Sequence, residues 1–145
     1  MKVAVNRCHG GFGLSFKAQA RYWELKGRPC FFYTIDNYSG ERVYKIATQK
    51  ALEKNSWNCL PFDLSTVEEI IALKGDDYKQ HSLYLGSEED EWRADPHLIQ
   101  VLEEMGEEAW GYASEIEIVE VPDDTEWTIE EYDGSEWIAE IHQTW

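Results

Sequence analysis

Apolar and polar residues alternate at the start of the chain. In "KVAVN", residues 2 to 6, Val3 and Val5 stand against Lys2, Ala4 and Asn6, the two-residue period of a strand. The period then changes. After the glycine-rich run "CHGGFG", Ser15 is a good N-cap, and Phe16, Ala20 and Trp23 lie on one face of a helix reaching Lys26. Gly27 marks its end. "PCFFYTI", residues 29 to 35, predicts a short buried strand. Strand, turn, helix and strand in that order predict a parallel pairing of the two strands through a right-handed crossover.

The middle is less regular. "YSGERVYKIAT" predicts a turn and a strand. Leu64, Val67, Ile70 and Ile71 predict a helix closed by Gly75, with Asp63 or Ser65 as its cap. Residues 76 to 94 read as mostly irregular, with "SEEDE" a solvated acidic run. In "DPHLIQVLEEMGEEAWG", Asp95 at the N-cap and Pro96 at the first helical position open a helix with the stripe Leu98, Val101, Leu102 and Met105. Acidic residues near its C-terminal end oppose the macrodipole, so that end is expected to fray or to be packed. "EIEIVEVP" predicts a strand. "EWTIEEYDGSEWIAEIHQTW" predicts a hairpin around Asp133-Gly134, the pair favoured in type I′ turns. Trp127 and Ile129 share a face of its first arm; Trp137, Ala139 and Ile141 share a face of its second. The sum is an α+β (mixed α/β) fold, a single-layer mixed sheet of roughly five or six strands packed against about three helices, with a C-terminal β-hairpin.

A chain of 145 residues has the length of a single domain, residues 1–145. Seven Trp and eight Tyr predict a core dominated by aromatic packing. No apolar run approaches the length of a membrane span, and the N-terminal run is too short for a signal peptide. Three cysteines without close spacing argue for free thiols in a reducing compartment, hence a cytosolic protein, and against zinc. The net charge of −16 disfavours nucleic acid and anionic membranes as partners. It is unevenly placed. Up to residue 55 there are ten cations and four anions; from residue 56 there are three cations, Lys74, Lys79 and Arg93, and 25 anions. This fits either a local anion site in an acidic shell or packing between two complementary halves.

The glycine-rich turn carries the first of these readings. Backbone amides of Gly10, Gly11 and Gly13, the start of a helix capped by Ser15, and the side chains of Arg7, Lys17 and Arg21 are the components of a phosphate site. The run matches neither the dinucleotide fingerprint nor the Walker A loop. Its other reading is a tight turn needing positive φ, with Phe12 filling the core. Cys8 beside Arg7 is a candidate nucleophile, or else a buried structural cysteine; on a strand it and His9 face opposite ways. Asp123 and Asp124 are a candidate cation pair, but no EF-hand or HExxH stretch appears, and His9, His81, His97 and His142 have no metal-ligand spacing. Glu130 and Glu131 fit a solvated sheet edge. Trp127, Trp137, Tyr132 and Trp145 are either a stacking platform or cross-strand packing. Nothing forms a recognisable catalytic set, and no cofactor or metal is expected.

Two stretches, "NRCHGGFGLS" and "IVEVPDDTEWTIEEYDGSEWIAE", resemble a group of small acidic phage-encoded proteins of uncharacterised function. The resemblance implies a phage origin and the host cytoplasm, and brings no catalytic residues. Such accessory proteins often act on the host. Two expectations follow. One is a non-catalytic sponge for an anionic nucleotide-like small molecule, an anti-defence factor binding through Arg7, Gly10, Gly11, Gly13, Ser15, Lys17 and Arg21. The other is an acidic inhibitor of a host protein, or a nucleic-acid mimic.

Overall fold

The opening alternation becomes strand β1 (Lys2–Asn6), and six more strands follow: β2 (Phe31–Tyr38), β3 (Glu41–Ile46), β4 (Cys59–Phe62), β5 (Ile116–Glu120), β6 (Trp127–Tyr132) and β7 (Ser135–Glu140). The helices are α1 (Phe16–Leu25), α2 (Gln49–Glu53), α3 (Val67–Ile71), α4 (Asp77–His81) and α5 (Pro96–Met105), with 3-10 turns at Asp90–Ala94 and Gly106–Ala109. This computed structural model describes residues 1–38, 41–54, 58–86 and 88–141. The expected turn at Ser39 and Gly40, Ser87 of the acidic run, and His142 and Trp145 lie outside the described residues.

The class is α+β, with the predicted C-terminal hairpin. The strands do not join into one mixed sheet. They form three small antiparallel sheets, ordered β1-β5, β3-β2-β4 and β6-β7. The expected parallel pairing of the first two strands is absent. Val3, Val5 and Asn6 of β1 face Val119, Glu117 and Ile116 of β5, while β2 takes β3 and β4 as neighbours. The two strands are in different compact units. One unit comprises Met1–Ala18 with Gly86–Trp145, and the other, Gln19–Leu85, is inserted in sequence between those segments.

In the first unit Val3, Ala4, Val5 and Asn6 are all buried, so β1 is covered on both faces. Helix α5 supplies Leu98, Ile99, Val101 and Leu102 to the same core. Asp95 caps it as predicted, accepting a hydrogen bond from the His97 amide. Its acidic C-terminal end is packed: the helix stops at Met105, and the following 3-10 turn buries Ala109 completely. The buried hydrophobic residues described in this unit are aliphatic.

The aromatic core belongs to the second unit. Phe62 is fully buried, and Tyr33, Tyr44 and Tyr78 approach it edge-on at 6.0, 6.3 and 5.4 Å between ring centres. Ile70 of α3 closes this cluster. The helix predicted over residues 63 to 75 shrinks to the five residues of α3, and neither Asp63 nor Ser65 caps it. Thr66 does: its hydroxyl accepts from the Glu69 amide and donates to the Glu69 carboxylate, which also accepts from the Ser65 hydroxyl.

Candidate functional site

Strand β1 ends at Asn6, and this fully buried side chain organises the turn that follows. Its amide Nδ2 donates to the carbonyls of Cys8 (2.7 Å) and Gly134 (2.8 Å). Its Oδ1 accepts from the Glu115 amide (2.9 Å) and lies 3.4 Å from the Cys8 sulfur. One asparagine thus fastens the glycine-rich turn to the start of β5 and to the hairpin turn.

The glycines fit this packing. A Cβ on Gly10 would lie 1.9 Å from the Ala113 carbonyl oxygen. Gly11 has φ +89° and open space around it. The carbonyls of Gly11 and Gly13 accept from the Ser114 hydroxyl and the Gly111 amide, both at 2.9 Å. Ser15 caps α1 as expected, accepting from the Ala18 amide, while its own amide and hydroxyl donate to the carbonyls of Ala109 and Glu108. Phe12 packs edge-on against Trp92 at 5.9 Å, and the Arg93 guanidinium lies 3.6 Å from the Phe12 ring centre. The turn is therefore held from below by an arginine and from the side by the segment 108 to 115.

Arg7 donates from Nε to the Glu117 carboxylate at 2.8 Å and from Nη1 to the Glu136 carbonyl at 3.1 Å. Arg21 pairs with Glu24 one turn along α1. Lys17 is exposed. Two of the three cations expected to face an anion thus hold carboxylates of the chain. Cys8 is half-buried rather than buried, and its thiol donates to the Ala113 carbonyl at 2.9 Å. His9 turns away to the Asp133 carbonyl. Burial pushes the Cys30 thiol up to about 12 and raises that of Cys59. Asp123, half of the candidate cation pair, instead holds the N-terminal ammonium at 2.6 Å.

A buried ion pair in this unit was not anticipated. Glu136, 8% exposed, receives Arg93 in a two-pronged bridge at 2.7 and 2.9 Å, and its Oε1 also accepts from the Asn6 amide at 2.8 Å. Arg93 donates further to the Ala4 carbonyl at 3.2 Å. The signal was present in two places. A two-residue turn at Asp133-Gly134 pairs Glu131 with Glu136 and Ile129 with Ile138, which puts Glu136 on the Trp127 face; Arg93 is the one arginine after residue 55. The same register puts Trp137 on the other face, so the two tryptophans do not stack across the hairpin.

The second unit has its own polar cluster. Asp63 sits between Arg28 (2.7 Å) and His81 (2.8 Å), and Arg28 lies 5.4 Å from the Trp23 ring centre. Burial pushes the Asp63 carboxyl up, but hydrogen bonds from Arg28 and His81, reinforced by their charges, hold it below the usual carboxylate range.

Two of the clefts among the described residues lie in the first unit. One of about 630 Å³ is lined by Ala94, Pro96 and Ile99 together with Lys2, Glu103 and Glu104. The other, about 360 Å³, is bounded by Trp127, Ile141, Asp90, Glu91 and Glu126. Both are lined in part by Met1 and Ala94, and neither is lined by any of the seven residues expected to bind an anion. Among the described residues no three His, Cys, Asp or Glu side chains group as a metal site, and no helix is long and apolar enough to cross a membrane. No protein-family model, no curated protein and no solved structure matches the chain.

Proposed function

We propose that this chain is a non-catalytic, acidic protein-binding factor that inhibits a host protein by occupying a basic face, such as one used for nucleic acid. The observation that carries this reading is the division of charge. The first unit holds 20 anions against four side-chain cations, whereas the inserted unit holds nine of each, so the whole −16 sits on one unit. Three of the four cations, Lys2, Arg7 and Arg93, are already paired with Glu103, Glu117 and Glu136. Exposed carboxylates run through 88–91, 103–108 and 130–133. A field of this sign steers a basic partner and speeds its capture. The resemblance to small phage-encoded proteins supports a bacterial host as the source of that partner. An anionic nucleotide-like ligand at the glycine-rich turn has weaker support, because Arg7 already holds Glu117 and the turn's carbonyls and Gly10 are packed against the segment 108 to 115.

Affinity capture from bacterial lysate, followed by titration of the purified captured protein, tests the reading. Binding is expected to weaken strongly as salt rises from about 0.05 to 0.5 M, since the Debye length falls well below 10 Å over that range, and duplex DNA is expected to compete. A complex indifferent to salt, or no capture at low salt, would overturn it.

A further inference from the structure

The two neighbouring clefts that share Met1 and Ala94 differ in chemistry. The larger has an apolar lining, Ala94, Pro96 and Ile99, at the start of α5. The smaller is lined by Trp127, Glu91 and Glu126. Among the described residues neither of these carboxylates has a side-chain partner. The other charges nearby are already engaged. Asp123 holds the Met1 ammonium, Lys2 pairs with Glu103, and Gln100 donates to Glu104. Asp90 accepts from the Thr128 hydroxyl and the Ile129 amide, which ties the 3-10 turn at Asp90–Ala94 to β6.

Such a pair of clefts selects its occupant. An anion meets Glu91 and Glu126. An apolar ligand without charge strips water from both carboxylates and returns nothing to them. A strongly hydrated cation alone leaves the apolar lining uncovered. A segment bearing an arginine or lysine next to a large aliphatic side chain suits both clefts: the aliphatic group fits the one lined by Pro96 and Ala94, and the cation fits the one lined by Trp127, Glu91 and Glu126.

We propose that these two neighbouring clefts together form the docking groove for a basic segment of the partner protein in which a cationic side chain adjoins an aliphatic one. The proposal rests on the reading of the chain as an acidic protein-binding factor and gives that surface a centre, where a diffuse charge field gives none. The test is fluorescence anisotropy of the full chain with three dye-labelled synthetic peptides: alternating leucine and arginine, alternating glycine and arginine, and alternating leucine and serine. The mixed peptide is expected to bind about 10-fold more tightly than either control. The surface pair Glu91→Gln with Glu126→Gln, and separately Trp127→Ala, are expected to lower its affinity about 10-fold, whereas Glu130→Gln with Glu131→Gln leaves it unchanged. Thermal melting checks that Trp127→Ala still folds, and the two Gln changes at exposed sites answer the question if it does not. Equal binding of the glycine–arginine peptide, or equal weakening by the Glu130 and Glu131 pair, would overturn the proposal. Salt-sensitive capture of a host protein that survives all the groove variants would also sink it while leaving the acidic-surface reading intact. Mixed-peptide binding lost in the groove variants, with no host protein captured, would uphold the groove and overturn the wider reading.

Discussion

Asn6, Arg93 and Glu136 show how one buried charge is made tolerable. Glu136 is removed from water but receives two hydrogen bonds from Arg93 and one from the Asn6 backbone. Removing either charged partner leaves the other buried without compensation, a loss of about 3–5 kcal/mol. Glu136→Gln and Arg93→Met are each expected to destabilise by that order, and the double variant by much less than their sum, as read from urea unfolding. Additive losses would show that the pair is not coupled. The glycines divide in the same way. Gly10→Ala drives a methyl into the Ala113 carbonyl and is expected to cost several-fold more stability than Gly11→Ala, which meets open space and only the strain of positive φ, about 1 kcal/mol. Melting temperatures of the two variants decide it. The chain's letters reveal a turn requiring glycine, but not which glycine is held by packing and which by φ, because Ala113 is about a hundred residues away in sequence.

Elements with local causes were legible. Ser15 and Asp95 cap the helices they precede, and Asp133-Gly134, with φ of +50° and +88°, makes the predicted type I′ turn. Elements with distant causes were not. The pairing of β1 with β5 depends on contacts across more than a hundred residues, and Asp63 is no cap because Arg28 and His81 hold its carboxylate. Two measurements follow. Thr66→Ala is expected to lower stability by about 1 kcal/mol, and Ser65→Ala by clearly less, since only the Thr66 hydroxyl accepts from a backbone amide of the helix, that of Glu69. Urea midpoints separate them, and equal losses would reassign the cap. The second concerns pH. The folded Asp63 carboxyl titrates below its unfolded value of about 3.9, so its contribution is complete above that value and is lost as pH falls through the lower folded one. Asp63→Asn is therefore expected to be less stable than the parent at pH 7 and to converge on it in acid; a constant gap across that window would contradict the assignment.

At the scale of the whole molecule, the boundary that matters electrostatically is not the one at residue 55 suggested by counting along the chain. It follows the compact units: four cations and 20 anions in one, nine of each in the other. The sequence alone could not draw this line, because the first unit is assembled from residues at both ends. Its consequence is unequal sensitivity to salt. Like charges packed on one folded unit repel one another, and added salt screens that repulsion over a Debye length that shrinks from about 30 Å at 0.01 M to about 8 Å at 0.15 M. Hydrogen exchange followed peptide by peptide reads the two units separately. Amides of β1, β5 and α5 are expected to gain protection as sodium chloride rises over that range, while those of β2 and β4 change little. A uniform gain in both units would mean that salt acts on the chain generally, and the concentration of charge in one unit would then have no bearing on its stability.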